Sequence, residues 1–238
     1  DSSSVADQLS SGVNQIFSNH VAFAALKDDG SVVSWGYDVS GGDSSSVDLE
    51  LSSGVNQIFS TDSAFAAVKD DGSVVSWGNS FNGGDSSSVD LALSSGVNQI
   101  FSNDQAFAAL KDDGSVVTWG DPEWGSNGGD SSSVDLDLSS GVNQIFSTKL
   151  AFAALKDDGS VVTWGKPSNG GDSSSVDLEL SSGVNQIFSS YGAFAALKDD
   201  GSVVTWGYSD YGGDNSSVDL QLSSGVNQIF STGYAFAA

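Results

Sequence analysis

The sequence predicts an all-β fold of the β-propeller class, with about six blades and three, possibly four, strands in each blade. Three observations predict it: the 238-residue chain repeats one unit of about 42 residues, each unit carries a strand hairpin that is apolar on both faces, and no stretch shows the periodicity of a long helix. Sheets that are apolar on both faces must be covered by neighbours. A radial arrangement covers them and leaves only short outer edges.

The repeats divide residues 1–238, which we interpret as a single repeat-built domain. The units begin at Asp1, Asp43, Asp85, Asp130, Asp172 and Asp214. The one longer spacing comes from an enlarged loop at Asp121–Asn127, and the last unit is cut off at Ala238. A linear β-solenoid is the competing repeat fold, although its rungs of roughly 20–30 residues fit this period less well.

The hairpin of each unit defines two of its strands. In the fourth unit these are Ala151–Leu155 and Ser160–Trp164, which are rich in Ala, Phe and β-branched residues and are joined by a turn containing Asp158-Gly159. A first strand such as Gly183–Ser189 precedes each hairpin, and a Ser-rich segment such as Ser173–Leu180 is a crossing connection or a weak fourth strand. The sixth unit lacks the third strand, so we expect 17 strands and an incomplete blade whose exposed neighbour strand favours self-association.

Two segments of the repeat resemble a known family. They read SGVNQI and ALKDDGSVVTWG in the fourth repeat, and the resemblance covers Gly54–Ile58, Ala67–Gly78 and their counterparts, with small changes of spelling between repeats. This pattern resembles the regulator of chromosome condensation superfamily, and especially its compact bacterial branch, which includes the type II β-lactamase inhibitor protein. The resemblance implies a β-propeller that binds proteins through loops on one face. The usual Gly-Gln-Leu-Gly after the Trp-Gly is replaced here by Gly83-Gly84-Asp85.

Charge and composition exclude several functions. The 31 acidic residues against 7 basic ones give a formal net charge of -24, which repels nucleic acid and anionic membranes. The chain contains no cysteine, so disulfides and thiolate chemistry are excluded. It also contains no run of 18 apolar residues, which a membrane-spanning helix would need. Acidity without cysteine fits an extracellular or cell-surface protein. The start at Asp1 in mid-pattern and the absence of methionine indicate a processed or excised piece.

No candidate for catalysis emerges, so we expect a protein that is not an enzyme and that needs neither a cofactor nor a metal. His20 is the only histidine, and no Gly-x-Ser-x-Gly elbow accompanies the abundant serines. Asp-Asp-Gly runs such as Asp70-Asp71-Gly72 lack the ligand spacing of a calcium loop, and a hairpin turn explains them. Asp85 and its equivalents are explained as turn residues in the same way.

The repeats differ from one another mainly in two places. The first is a triplet between the first and second strands, and the second is the loop that follows the Trp-Gly; if the strands alternate in direction, both lie on one face. Tyrosine, tryptophan and glycine on loops of a rigid scaffold are typical of a recognition surface. The predicted binding residues are His20, Val21, Tyr37, Asp38, Asp62, Phe81, Asp104, Gln105, Glu123, Trp124, Lys149, Leu150, Lys166, Tyr191, Tyr208, Asp210, Tyr211 and Tyr234.

Three classes of function fit this pattern. The first is a module that binds a protein partner through the diversified loops. The second is a lectin-like protein that stacks glycans on loop tyrosines, although equivalent sugar pockets would favour repeated loops over differing ones. The third is a passive structural or adhesive array in a larger surface protein, whose loops drift freely. The turns and connectors are exposed in this interpretation yet nearly constant, and this contrast favours recognition over drift.

Overall fold

The computed structural model covers all 238 residues, and the structure describes residues 1–120 and 127–238. The described residues contain 17 strands, as predicted. They are β1 Val13–Ser18, β2 Ala22–Lys27, β3 Val32–Gly36, β4 Val55–Ser60, β5 Ala64–Lys69, β6 Val74–Gly78, β7 Val97–Ser102, β8 Ala106–Lys111, β9 Val116–Gly120, β10 Val142–Ser147, β11 Ala151–Lys156, β12 Val161–Gly165, β13 Val184–Ser189, β14 Ala193–Lys198, β15 Val203–Gly207, β16 Phe230–Ser231 and β17 Phe236–Ala237.

Helical structure in the described residues is confined to single turns, which confirms the all-β prediction. The one α-helix within the described ranges is α1, Asp177–Leu180. Short 3₁₀ turns occur at Ser3–Val5, Asp38–Ser40, Ser45–Val47, Glu50–Ser52, Ser80–Asn82, Ser132–Val134, Pro167–Asn169 and Ser209–Tyr211. The Ser-rich connectors therefore form turns and bends, and the weak fourth strand allowed by the sequence is not present in the described residues.

The chain folds into two compact units. The first contains residues 1–112 and 117–120, and the second contains residues 113–116 and 127–238. The first unit holds the sheets of the first two repeats and most of the third. The second unit holds those of the fourth and fifth repeats and the two-stranded sheet of the sixth.

Each complete repeat forms one antiparallel sheet of three strands in sequence order. In the fourth repeat, Phe152 lies opposite Trp164, and their rings stack with centroids 5.3 Å apart. The first strand of each sheet carries a bulge near its start, between Val142 and Gln144 in this repeat. The sixth repeat forms only the two-residue strands β16 and β17, so the last blade is incomplete, as the sequence predicted.

The Lys-Asp-Asp-Gly turns connect each hairpin to the next repeat. Gly72 adopts a φ of +75°, and the Val97 amide of the third repeat donates to its carbonyl at 3.0 Å. An added Cβ on Gly72 would lie 2.8 Å from the Gly96 nitrogen, so no side chain fits there. The Lys69 ammonium donates to the Glu50 carbonyl at 2.6 Å. Besides hairpin geometry, the turn is therefore constrained by contacts of Gly72 with the next repeat and by the bond of Lys69 within its own repeat.

The carboxylates of these turns accept local hydrogen bonds, as expected for turn residues. Asp71 Oδ1 accepts from the Ser73 hydroxyl at 2.6 Å and from the Ser73 amide at 3.0 Å. These two bonds, the hydroxyl first, hold the pKa of Asp71 below its usual value. Asp85 after the Gly-Gly pair accepts from the Ser87 amide at 2.9 Å, which lowers its pKa in the same way.

Neighbouring sheets pack face to face through an apolar layer. In the first unit, Ala22, Ala24 and Leu26 of β2 cover a layer in the next repeat that includes Ile58 and Phe65. The same layer contains Leu51, Val55, Ala67 and Trp77 of the second repeat. Alanines on the covering strand let the two sheets approach closely, while the aromatic residues of the next repeat fill the volume between them.

A buried tryptophan fixes the hairpin of each of the second to fifth repeats to the repeat before it. The Trp77 indole donates from Nε1 to the Gly41 carbonyl at 3.1 Å, and Trp206 donates to Gly170 at 3.0 Å. Gly41 has a φ of +95°, and an added Cβ would lie 2.6 Å from a ring carbon of Phe65. The first glycine of the pair is thus required by the packing of the following repeat, whereas a Cβ on Gly42 would lie 2.6 Å from the carbonyl carbon of Gly36 in its own repeat.

One difference between the repeats leads to a stability prediction. Ser76 Oγ is buried and has no hydrogen-bond partner within the described residues, whereas Thr163 Oγ1, at the equivalent position, donates to the Gly171 carbonyl at 3.3 Å. Ser76→Thr should therefore raise the free energy of unfolding by about 0.5–1.5 kcal/mol through the new bond and methyl group. Urea denaturation measures this, with Thr163→Ser as the reverse control; a lower urea midpoint for Ser76→Thr would show that the site has no room.

Candidate functional site

The first residue of each triplet has a structural role. The Asn19 side chain accepts a hydrogen bond from the Ala22 amide at 2.8 Å and donates one to the Ser40 carbonyl at 2.7 Å. Thr61 does the same with Ala64 and Asn82, at 3.1 and 2.8 Å. This side chain therefore sets the turn into the second strand and joins the triplet to the loop after the Trp-Gly. Only residues with a short hydrogen-bonding side chain, Asn, Thr or Ser, occupy the position.

The middle residues of the triplets form rows that cross from one repeat to the next. In the first unit, the His20 amide donates to the Asp62 carbonyl at 3.3 Å, and the Asp62 amide donates to Asp104 at 2.9 Å. In the second unit, Lys149 donates to Tyr191 and Tyr191 donates to Gly233, both at 3.0 Å. The backbone thus places the most variable side chains next to each other. The structure brings together residues that lie 42 positions apart in the sequence.

Four tyrosines of the second unit form one cluster. Tyr211 lies at its centre, with ring centroids 5.6 Å from Tyr191, 5.2 Å from Tyr208 and 5.4 Å from Tyr234. Tyr191 and Tyr208 are almost half exposed, and Tyr234 is 70% exposed. Four of the five tyrosines in the chain thus form a continuous aromatic surface that is open to solvent. We call Tyr191, Tyr208, Tyr211 and Tyr234 the tyrosine cluster.

A lysine lies against the edge of the tyrosine cluster. The Lys149 ammonium is 2.6 Å from the Tyr191 hydroxyl and 4.9 Å from the centroid of the Tyr191 ring. A cation over an aromatic ring is attracted by the negative face of the ring. Lys149 and Lys166 are the two lysines outside the hairpin turns, so the second unit carries positive charge among its loops although the chain as a whole is strongly acidic.

Gly192 makes room for the tyrosine cluster, and the sequence analysis did not identify it. A Cβ added to Gly192 would lie 2.9 Å from Tyr211 Cδ2. All five other repeats have a side chain at this third triplet position, such as Val21 or Leu150. A glycine in the triplet beside a loop with two tyrosines, Tyr208 and Tyr211, is the sequence signal that could have revealed the close packing.

The variable residues of the first unit have a different character. His20 Nδ1 lies 3.1 Å from Asp62 Oδ1, and both side chains are exposed. Val21, Tyr37 and Phe81 are each more than half exposed. The described variable residues of this unit thus combine exposed apolar side chains with carboxylates and have no counterpart of the tyrosine cluster.

The remaining predicted residues are located as follows. Asp38, Gln105, Lys166 and Asp210 are exposed, and Asp104 and Leu150 are partly buried. Glu123 and Trp124 lie outside the described residues. The structure therefore joins His20 with Asp62, and Lys149 with the tyrosine cluster, and it leaves Tyr37 and Phe81 on loops of separate repeats.

Over the described ranges, no group of three or more His, Asp or Glu side chains is arranged to hold a metal ion. Trp77, Trp119, Trp164 and Trp206 are each 2% exposed and form part of the buried core. Within the same ranges, no helix is long and apolar enough to span a membrane.

Comparisons with known proteins found similarity in structure and none in sequence. No protein-family model matches the chain, and no curated protein matches its sequence. Among solved structures, the ectodomain of the receptor kinase CR4 from Physcomitrella patens matches with a TM-score of 0.50 at 14% identity, over 93% of this chain and 56% of that one. Yeast RCC1 (Prp20) in complex with Kap60 matches with a TM-score of 0.49 at 18% identity, over 82% of this chain and 56% of that one.

A third match is human WBSCR16, with a TM-score of 0.46 at 20% identity over 82% of this chain and 61% of that one. The chain thus spans little more than half the length of the structures that it matches. At these identities the likeness concerns the fold alone. The chain has a β-propeller fold.

Proposed function

We propose that this chain is a non-enzymatic binding module that recognises a protein partner through the variable loops of its propeller scaffold. The observation that carries the proposal is the tyrosine cluster with Lys149 at its edge. Tyrosine supplies a large, rigid contact area at a small cost in conformational entropy, and energetic hot spots of interfaces are enriched in it. A solvent-exposed group of four such rings has no evident role in the blade cores, which are filled by alanine, by larger aliphatic residues and by phenylalanine and tryptophan.

The scaffold suits this task because the variable side chains lie on backbone fixed by hydrogen bonds. The triplet rows and the bonds between triplet and loop hold the loops in place before any partner arrives. Preorganised loops lose little conformational freedom on binding, which favours affinity. The net charge of -24 would further attract a partner with a positively charged surface.

The structural comparisons support the β-propeller fold but do not identify a binding partner for this chain. Yeast Prp20 is bound to Kap60 in one solved structure, and another structure of it is described together with its binding to Gsp1p and histones. That likeness is one of fold, so our proposal rests on the loops of this chain. A relationship to the compact bacterial branch of the superfamily and an extracellular location are further parts of the proposal, based on the sequence motifs and the acidity.

Glycan binding is a second candidate, because exposed tyrosine rings can stack on sugars. The tyrosine cluster is a single site in the described residues, whereas a repeat lectin would present equivalent sites in several repeats. We therefore propose a protein ligand, and we treat glycan binding and a passive array as outcomes of the test.

We also propose self-association at the incomplete sixth blade, where the strands β16 and β17 are only two residues long and Phe230 is 62% exposed.

The test uses the double variant Tyr208→Ala, Tyr234→Ala. Proteins captured by the immobilised chain are purified, and their Kd is measured for the parent and the variant; a glycan array is screened in parallel. We expect partner affinity to fall by about 2 kcal/mol or more, which is roughly thirtyfold, since tyrosine anchors dominate interfaces. The melting temperature should stay nearly unchanged because these rings lie outside the blade cores.

The matched control replaces Asp70, Asp112 and Asp157 by alanine in the constant hairpin turns. If those changes abolish binding while the tyrosine variant binds normally, the loops are not the binding surface. Binding of a defined glycan that the tyrosine variant loses would show a lectin. A chain that captures neither class of ligand would be a passive array.

A further inference from the structure

The first repeat carries an apolar face that is uncovered. Ile16 is 56% exposed and Phe23 is 43% exposed, and the Phe23 ring stacks on Trp35 with centroids 5.3 Å apart. The equivalent residues of the second repeat, 42 positions later, are buried: Ile58 is 3% exposed, Phe65 is 0% exposed and Trp77 is 2% exposed. We call the surface formed by Ile16, Phe23 and Trp35 the acceptor face.

The other repeats show what chemistry covers such a face. In the first unit, Ala22, Ala24 and Leu26 cover the equivalent face of the second repeat, with Phe17 packed beside them. In the second unit, Ala151, Ala153 and Leu155 cover the face of the fifth repeat, with Phe146 beside them. The cover is thus a flat strand with alternating alanines, next to a phenylalanine of the adjacent strand.

The sixth repeat presents this covering chemistry to solvent. Ala235 and Ala237 are exposed and Phe230 is 62% exposed. The equivalent alanines of the fifth repeat, Ala193 and Ala195, are fully buried. We call the surface formed by Phe230, Ala235 and Ala237 the donor face. Each copy of the chain therefore exposes one acceptor face and one donor face. Inside the chain, surfaces of these two kinds pack against each other where successive repeats meet.

We propose that the acceptor face of one copy binds the donor face of a second copy, in the same geometry that joins successive repeats. This inference extends the proposed self-association and identifies its second surface; it does not depend on partner binding by the loops. The contact is heterologous, because two different surfaces meet, so it continues from copy to copy until a ring closes or a filament forms. Salt should strengthen it, since each copy carries a formal charge of -24.

Sedimentation velocity of the 238-residue chain at about 1–200 µM, a range that spans typical weak contacts, tests the proposal in low and high sodium chloride. We expect species larger than a monomer to grow with concentration and with salt. Ile16→Glu should abolish this growth by placing a charge on the acceptor face. Leu49→Glu is the matched control, because Leu49 is 87% exposed on a connector and the substitution adds the same charge. Circular dichroism confirms that both variants fold.

A mixing experiment tests the head-to-tail arrangement. Ile16→Glu blocks only the acceptor face, and Ala237→Glu blocks only the donor face, so each variant alone should be a monomer. An equimolar mixture should form 1:1 dimers and nothing larger, since one competent face remains on each. The proposal is overturned if the parent is monomeric throughout, if Leu49→Glu weakens association as much as Ile16→Glu does, or if the mixture stays monomeric. Loss of association in Tyr208→Ala, Tyr234→Ala would instead place the contact on the loops.

Discussion

Ile58→Ala is expected to lower the free energy of unfolding by about 2–5 kcal/mol, the usual cost of removing a large aliphatic side chain from a packed core. Ile58 is 3% exposed and lies in the apolar layer between the first and second repeats, against Ala22 and Ala24. The surrounding strands are fixed by ladder hydrogen bonds, so they cannot move in to fill the cavity. Urea denaturation followed by circular dichroism and by tryptophan fluorescence measures the change.

The repeats supply a control in the same local sequence. Ile16 occupies the equivalent position in the first repeat, within the same Val-Asn-Gln-Ile-Phe-Ser strand, and is 56% exposed. Ile16→Ala should therefore cost less than about 1 kcal/mol when it is measured at a concentration low enough to keep the chain monomeric. Equal effects of the two substitutions would mean that the face of the first repeat is covered in solution by the chain itself.

The sequence was sufficient to predict the unit of the fold. In the five complete repeats the strand positions agree within a residue, because the alternation of apolar residues, the glycine turns and the period all point to the same hairpin. In the sixth repeat the first strand is shorter than predicted and forms only at Phe230–Ser231. The sixth unit was predicted to be incomplete, since it lacks the third strand. What could not be predicted is how a neighbouring repeat is held, for example by the bond from the Trp77 indole to the Gly41 carbonyl across 36 positions of sequence.

The constancy of the Lys-Asp-Asp-Gly turns has a structural cause. The near constancy of the Lys-Asp-Asp-Gly turns was interpreted as evidence that the variable loops are selected for recognition, because exposed turns were expected to drift. The structure gives these turns a structural reason to be constant: Gly72 approaches the backbone of Gly96, and Lys69 binds the Glu50 carbonyl. The contrast between constant turns and variable loops therefore loses its force, and recognition rests on the loops themselves.

The candidate site was predictable only as a set of positions. Sequence comparison between repeats identifies the triplets and loops, but the pairing of Lys149 with Tyr191 depends on the hydrogen bond between their backbones. The central role of Tyr211 depends on the absence of a side chain at Gly192. Contacts of this kind join residues in neighbouring repeats and loops, and a pattern read along one chain does not contain them.

Completing the sixth repeat should stabilise the C-terminal end of the chain. The extension adds LKDDGSVVTWG after Ala238, followed by a Gly-Gly loop, and supplies the third strand that the other five repeats have. Phe236 should then become buried like Phe194, which is 0% exposed. The added tryptophan should donate to the Gly212 carbonyl, as Trp206 donates to Gly170 at 3.0 Å.

Burial of one phenylalanine contributes about 1.5–3 kcal/mol, and a hydrogen bond adds about 0.5–1.5 kcal/mol. Hydrogen exchange at the amides of β16 and β17 should therefore slow by at least about tenfold, because each 1.4 kcal/mol of local stability is a factor of about ten. The melting temperature should rise as well, and pairing through the exposed strand edge should weaken, since the new strand occupies that edge.

The same extension with its tryptophan replaced by serine is the control and should recover only part of the protection. Unchanged exchange and melting in the full extension would show that the sixth repeat is stable without its third strand, and that the fold does not depend on completing this blade.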